Sequence, residues 1–184
     1  MYIPPEFVSG ESIFYLGRSY RLRIVDNACA PLRFDGEWFE LRRNATPKAA
    51  QYFQRWFMDE GAGRLRSRSA ELERRSGQTS SRVIVRDLGY RWGSCGKNRT
   101  LYFNWRLLQL PMHVIDYVVL HEQVHLLHHN HSKQFWKAMD SVLPDWPVRK
   151  EELERDWGRF ARFALAAIAP EGTRHSELVI RRSR

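Results

Sequence analysis

The sequence predicts an α+β fold in which a β-rich N-terminal segment precedes a helical segment and then a mixed region. Alternating apolar runs over residues 11–45 indicate strands, and residues 46–77 carry a helical pattern. Residues 82–167 combine two further strands with three helical patterns. Since 184 residues suffice for one substantial core, we expect a single domain over residues 1–169 and a basic, disordered tail over residues 170–184.

The N-terminal half is predicted to contain a small sheet and one long helix. Short alternating runs at residues 12–25 and Trp38–Arg42, separated by turn residues, indicate a hairpin or a small meander. Thr46 followed by Pro47 is typical of a helix start, with threonine at the N-cap and proline in the first turn. This helix should run towards Gly77, with a break at the two nearby glycines, 61 and 63.

In the C-terminal half, residues 82–87 and Thr100–Asn104 are predicted as strands. Pro111 marks the start of the next helix, because proline is favoured in a first turn. An N-capping serine precedes a helix over Lys133–Val142. A final amphipathic helix follows a proline-rich turn and ends near residue 167.

The most informative stretch is a histidine-rich motif on the predicted helix that begins at Pro111. His121 and His125 are four residues apart, so their rings project from one helix face at a spacing that suits one tetrahedral zinc ion. Glu122 lies close enough to act as general base on a metal-bound water. His131 completes a three-histidine set and leaves a fourth position open, as in catalytic sites. Asn130, which tolerates positive φ, is expected to shape the intervening turn.

The surroundings of this motif favour a metal site over a chance match. Residues 112–120 are mostly apolar, so the helix is expected to be buried, and buried histidine and glutamate side chains are costly unless they are paired or bound to a metal. A histidine-rich helix end stabilised by the helix dipole would explain His128 and His129. It would not explain His121 or Glu122. We therefore predict one zinc ion per chain.

Positive charge is concentrated in one segment. The net charge is +9, and residues 64–106 contain eleven Lys and Arg residues against three acidic ones. Such an excess favours an anionic partner, which could be a nucleic acid, a nucleotide or an acidic peptide. The alternative is an arginine-rich helix face that is simply solvated.

Composition also limits where the protein acts. No run of 18 apolar residues is present, so no membrane partner is expected. The N-terminus lacks the basic start and apolar stretch of a secretory signal. The two cysteines, Cys29 and Cys95, do not suggest a disulfide framework. We expect a cytoplasmic protein.

Seven short motifs occur in an order and spacing that resemble the YgjP-like metallopeptidase domain family, itself similar in its core to SprT-like and WLM zinc peptidases. They are RWGSC at 91–95, NWRL at 104–107, LP at 110–111, IDYVVLHEQVHL at 115–126, NHS at 130–132, FW at 135–136 and PDW at 144–146. The resemblance implies a minimal gluzincin-type fold, with a small sheet above the active-site helix. It also implies a zinc ion held by His121, His125 and His131, with Glu122 as base. One departure is Gln123-Val124, where the family usually has a small apolar pair.

The motifs and the resemblance together predict a zinc-dependent hydrolase, a metallopeptidase acting on a peptide or protein. Two alternatives stay open. One is a zinc-dependent nucleoside triphosphate pyrophosphohydrolase, in which arginines of the basic segment hold the phosphates. The other is a non-enzymatic nucleic-acid-associated module with a structural zinc ion.

Three residues are candidates for stabilising the oxyanion or contacting substrate, because they flank the strand expected beside the site: Arg91, Asn104 and Arg106. Each is equally suited to be a structural hydrogen-bonder. If Thr100–Asn104 forms the sheet edge over the cleft, it could pair with an extended peptide by strand addition.

Overall fold

The structure is a computed structural model that describes residues 5–160, with side chains described for residues 5–155. The predicted tail at 170–184 and the end of the last predicted helix lie outside the described residues, so the domain boundaries stay a prediction. No helix in the described part is long and apolar enough to cross a membrane. The α+β class is confirmed by two small sheets and four α-helices within residues 5–160.

The first sheet occupies the β-rich N-terminal segment. Its strands are β1 (Ser12–Tyr15), β2 (Arg18–Val25), β3 (Leu32–Phe34) and β4 (Trp38–Arg42). They lie in the order β1-β2-β4-β3, with β2 and β4 parallel and the other pairs antiparallel. The sheet is therefore not a simple meander. Asp35 turns β3 directly back into β4, because its Oδ1 accepts hydrogen bonds from the N–H groups of Glu37 and Trp38 at 2.9 and 2.7 Å.

A single long helix, α1 (Ala49–Ser76), follows a 3₁₀ turn at Arg43–Lys48. The predicted start at Thr46 is wrong: Pro47 lies inside the 3₁₀ turn, and the Thr46 carbonyl accepts the Ala49 N–H. The predicted break at the two glycines is also wrong. Gly61 lets the helix pass close to the second sheet, since a Cβ there would lie 3.2 Å from Val85 Cγ1.

The end of α1 agrees with the sequence prediction. Gly77 caps the helix in the left-handed region, at φ 65°, where glycine is favoured. Its N–H donates to the Glu73 carbonyl at 2.8 Å. At the other end of α1, an aromatic cluster packs the helix onto the first sheet, with Phe39 5.5 Å from Phe53 and 5.0 Å from Trp56 between ring centroids.

The second sheet contains β5 (Arg82–Arg86), β6 (Gly93–Cys95) and β7 (Thr100–Asn104) in the order β5-β7-β6. β7 is parallel to β5 and antiparallel to β6. The prediction of Thr100–Asn104 as a strand is confirmed, but its expected place at the sheet edge is wrong, because strands pair with it on both sides. The edge beside the motif helix is β6.

The histidine motif lies on α2 (Met112–Val124), which follows Pro111 as predicted. α2 is buried almost throughout and packs between β6 and the other helices. Arg68 of α1 donates to both carboxylate oxygens of Asp116, at 2.6 and 2.7 Å, and so joins the two helices. α3 (Lys133–Val142) begins at the predicted N-cap, where Ser132 Oγ accepts the Phe135 N–H, and α4 (Trp146–Phe160) follows.

Gln123, which departs from the usual family pattern, forms a second link between α1 and α2. Its Nε2 donates to the Ser69 carbonyl oxygen at 2.8 Å and to Ser69 Oγ at 3.1 Å. Both residues are fully buried. The polar residue at position 123 is therefore matched by a polar residue on α1, and it points away from the face of α2 that carries His121 and His125.

Candidate metal centre

Three histidine rings converge on one point between α2 and α3. His121 lies on α2, His125 follows its last residue, and His131 precedes the N-cap of α3. The Nε2 atoms form a nearly equilateral triangle, with distances of 3.1 Å (His121 to His125), 3.1 Å (His125 to His131) and 3.0 Å (His121 to His131). The structure brings together all three residues that the spacing predicts as ligands.

The turn between the second and third histidines contains no residue with a positive φ. The N–H groups of Leu127 and His128 both donate to the Val124 carbonyl, at 3.1 and 2.9 Å, which closes the end of α2. The expected positive φ at Asn130 is wrong: this residue is not among the non-glycine positions with positive φ in the described chain. The tight closure after Val124 already reverses the chain.

A hydrogen bond behind His125 and aromatic packing around all three rings orient the cluster. His125 Nδ1 lies 2.9 Å from the His128 carbonyl oxygen, so Nδ1 is assigned the hydrogen and Nε2 the lone pair. Trp136 stacks on His131 at 5.5 Å between ring centroids. Phe135 contacts all three histidine rings at 4.5 to 4.8 Å. This packing holds the rings in place before any ligand binds.

The donor set fits a divalent metal ion. Bonds of about 2.0–2.1 Å in tetrahedral geometry require nitrogen atoms about 3.3 Å apart, close to the triangle observed. Three lone pairs facing one another repel unless a cation lies between them. Imidazole ligands suit zinc, copper, iron and nickel. The residues present therefore fit a metal site, with zinc as one of the suitable ions.

Burial favours the neutral form of His121 and His131. Burial is the main reason that the pKa of His121 lies well below the usual 6.5. The charges of His125, His131 and Lys150 lower this pKa further. Burial and the Lys150 charge also lower the pKa of His131. Neutral imidazole is the form that coordinates a metal, so this environment favours metal binding over protonation. Lys150, on α4, is a neighbour of the site that the sequence analysis missed.

Glu122 is fully buried beside the triangle. Burial raises the pKa of its carboxyl group from 4.5 to about 8, although the Arg91 charge and the Cys95 backbone amide act in the opposite direction. Neither carboxylate oxygen accepts a hydrogen bond of normal distance and angle within the described residues. The Cys95 amide acts on the carboxylate through a weaker contact. A buried carboxyl group without such bonds is costly unless a cation or a reacting molecule uses it.

The edge strand β6 fixes the position of Glu122. A Cβ built on Gly93 would lie 2.6 Å from Glu122 Oε1 and 2.7 Å from its Cγ, so only glycine allows this approach. Gly93 is a site residue that the sequence analysis did not identify. The small-residue loop around it was visible in the sequence, but its contact with α2 depends on how the sheet packs.

The three candidates for substrate contact are placed differently. Arg91 acts electrostatically on Glu122 and so lies near the site. Asn104 Nδ2 donates to the carbonyl oxygens of Gly89 and Arg91 at 3.0 and 2.9 Å, while its Oδ1 caps the following 3₁₀ turn. Arg106 binds Asp87 Oδ1 at 2.9 Å. These contacts favour a structural role for Asn104 and Arg106. Arg91 remains a candidate for contacting the substrate or the oxyanion.

Comparison with known proteins gives one family and one solved structure. A family model described as YgjP-like, metallopeptidase domain, matches residues 2–156. A crystal structure described as the metallopeptidase zymogen of Pyrococcus abyssi abylysin is similar at 22% identity and a TM-score of 0.45, over 53% of this chain and 94% of that chain. The comparison with curated proteins finds no match.

Proposed function

We propose that this chain, which belongs to the YgjP-like metallopeptidase domain family, is a zinc-dependent peptidase that cleaves an extended peptide segment. The observation that carries the proposal is the convergence of three imidazole nitrogen atoms beside a buried glutamate. The edge of β6 runs past that glutamate. A metal site, a base and a surface for an extended chain therefore lie together.

The protein groups divide the chemistry between them. His121, His125 and His131 hold the metal, and the lowered pKa of His121 and of His131 keeps these two rings available at neutral pH. When bound, zinc supplies Lewis acidity and makes water a stronger acid. Glu122 accepts the proton of the attacking water on a carboxylate oxygen and passes it to the leaving amine. A nearby cation lowers the pKa of a carboxyl group, so the loaded site favours the basic form of Glu122.

The outer edge of β6 is the proposed peptide-binding surface. The Trp92 carbonyl and the Gly96 N–H bond to β7 at 2.8 Å each. By the alternation of antiparallel pairs, the backbone groups of Gly93 and Cys95 point to the opposite edge, where the Cys95 amide acts on Glu122. A peptide that extends the sheet there passes Glu122 by strand addition. The edge of β6 thus takes the peptide-pairing role first considered for Thr100–Asn104, because the sheet order places that strand in the centre.

Arg91 is proposed to contact the substrate near the scissile bond. Its charge already acts on Glu122, so it lies at the end of β6 where an oxyanion or a peptide carbonyl would come. The Arg91→Lys protein keeps the charge but loses the planar fork of donors. We expect a lower kcat with little change in zinc content.

The nucleotide alternative would require several arginines at the metal site. Arg68 and Arg106, both in the basic segment, are held by Asp116 and Asp87 instead. No contact among the described residues specifically favours phosphate binding at the triangle. A structural zinc module is also disfavoured, since such a site has no use for a buried carboxyl group next to the ligands.

Purified protein should therefore be tested against casein, a peptide library and nucleoside triphosphates, each with and without a chelator. We expect cleavage of peptide bonds that stops on chelation and returns with zinc. Triphosphate hydrolysis that depends on the metal, without peptide cleavage, would replace this proposal with the nucleotide alternative. No metal-dependent hydrolysis of any substrate would favour the structural module.

A further inference from the structure

The second sheet has one face that the helices do not cover. Side chains alternate along each strand, so one set faces the core and the other faces outwards. The inward set contains Val83, Val85, Leu101 and Phe103. The outward set contains Arg82, Ile84, Arg86, Thr100 and Tyr102, and also Ser94 and Asn104, which are buried. We call this second set, with the adjoining loops 89–91 and 97–99, the outer sheet face.

Positive charge on the second sheet and its loops has few acidic partners. Residues 82–106 carry six Lys and Arg residues and only one acidic residue, Asp87, which is bound by Arg106. Two of the five arginines of the basic segment on α1 are ion-paired. Arg64 is paired with Glu60, and Arg68 with Asp116 and Glu71. Arg66, Arg74 and Arg75 form no salt bridge among the described residues and are exposed, as in a solvated helix face.

Aromatic rings lie among these arginines. The Arg86 guanidinium is 4.4 Å from the centroid of the Tyr102 ring, in the geometry of a cation–π contact. Tyr90, on the adjoining loop, is 58% exposed. Flat rings beside guanidinium groups can stack on nucleobases while the charges contact phosphates.

The turn between β6 and β7 adds charge at one end of the face. Asn98 and Arg99 both have positive φ, at 53° and 54°, and the Thr100 N–H bonds to the Lys97 carbonyl at 3.2 Å. These are features of a type I′ turn, whose second central position is usually glycine. Arg99 occupies it instead and donates to the Thr79 carbonyl and to Gln78 Oε1, at 2.7 and 3.3 Å. Both acceptors are neutral, so the charge of Arg99 is not cancelled.

We propose that the outer sheet face binds single-stranded nucleic acid, with phosphates at Arg82, Arg86 and Arg99 and bases stacked on Tyr102 and Tyr90. Charge alone would suit any polyanion, but the rings favour a partner that has planar bases. Bases are available for stacking only when the strand is unpaired. The face therefore favours a single strand over a duplex and over an acidic peptide. This binding does not depend on the metal or on the proposed peptidase activity.

The test uses the full chain and a fluorescein-labelled oligonucleotide of about 16 nucleotides, in deoxythymidine and uridine forms, measured by anisotropy at about 50 and about 200 mM salt. The key variant combines Arg82→Glu with Arg86→Glu. The single variant Arg86→Glu is measured beside it. The matched control is Arg18→Glu, which makes the same charge change as this single variant at an exposed position on the first sheet. Thermal melting checks that each variant is folded.

We expect the double variant to bind at least ~10-fold more weakly than wild type and to lower the salt slope by about 1.4, since each single-strand phosphate contact contributes about 0.7. The Arg18→Glu protein should lose less than about threefold, because distant exposed charges are screened. Tyr102→Leu, which keeps the bulk but removes the ring, should also weaken binding. The deoxythymidine and uridine forms report which nucleic acid is preferred, and stronger binding of either supports the proposal.

Three results would overturn the proposal. Wild-type protein that does not bind at low salt has no such site. An equal loss for Arg18→Glu and the single variant Arg86→Glu would show a general effect of net charge. Competition by polyglutamate or by duplex DNA as strong as by the single strand would show a polyanion surface without base stacking. Repeating the titration after chelation should give the same affinity.

Discussion

The buried carboxyl group of Glu122 should make the metal-free protein sensitive to pH. Burial raises its pKa from 4.5 to about 8, so the folded state binds this proton more tightly than the unfolded state does. The resulting contribution to stability is fully present below about pH 4.5. It is lost as the pH rises towards about 8.

The size of the effect follows from the shift. A change from 4.5 to about 8 corresponds to about 5 kcal/mol, at about 1.4 kcal/mol per pKa unit. Any water that enters the metal-free site reduces this, so about 3–5 kcal/mol is expected. Glu122→Gln keeps the shape of the side chain and removes the titration. The two metal-free proteins should therefore be similarly stable near pH 4.5, and the Gln variant more stable by that amount above about pH 8.

The assay is urea unfolding of chelated protein, followed by circular dichroism from about pH 5 to about pH 9. Glu151→Gln is the matched control, because Glu151 is exposed on α4 and should show little pH-dependent difference from wild type. Zinc-loaded wild type should also lose the effect, since the cation favours the carboxylate. A stability difference between wild type and Glu122→Gln that stays constant across this pH range would refute the reasoning.

Three further predictions concern the ligands and their support. His131→Ala should lower zinc content sharply by metal analysis, while His128→Ala should leave it in place, because the His128 side chain lies outside the triangle. Gly93→Ala should keep zinc but reduce turnover at least ~10-fold, since its Cβ would displace Glu122; unchanged turnover would disprove that contact. Gln123→Ala should cost about 1–3 kcal/mol in urea unfolding, because it leaves a cavity and breaks the link to α1.

Local patterns could be read from the sequence because they depend on neighbouring residues. The spacing of His121 and His125 fixes a shared helix face, and Ser132 caps α3 as its hydroxyl and position predict. The strand Thr100–Asn104 also has the predicted bounds. These features need no knowledge of the rest of the fold.

Other features depend on packing between distant segments and could not be predicted. The central position of β7 is set by strand pairing, which the alternation of residues does not determine. Gly61 looked like a helix break but serves close packing against Val85. Gly93 and Glu122 are 29 positions apart in the sequence, and only the approach of β6 to α2 shows why glycine is needed there.

The central claim is that a metal held by three histidines acts with Glu122 as the base of a peptidase. The most direct measurement is the turnover of a cleaved peptide by zinc-loaded Glu122→Gln protein, with zinc content measured on the same sample. The account predicts about one zinc ion per chain and a fall in kcat of at least ~10²-fold, the usual contribution of a positioned general base. Full zinc content with unchanged kcat would contradict it.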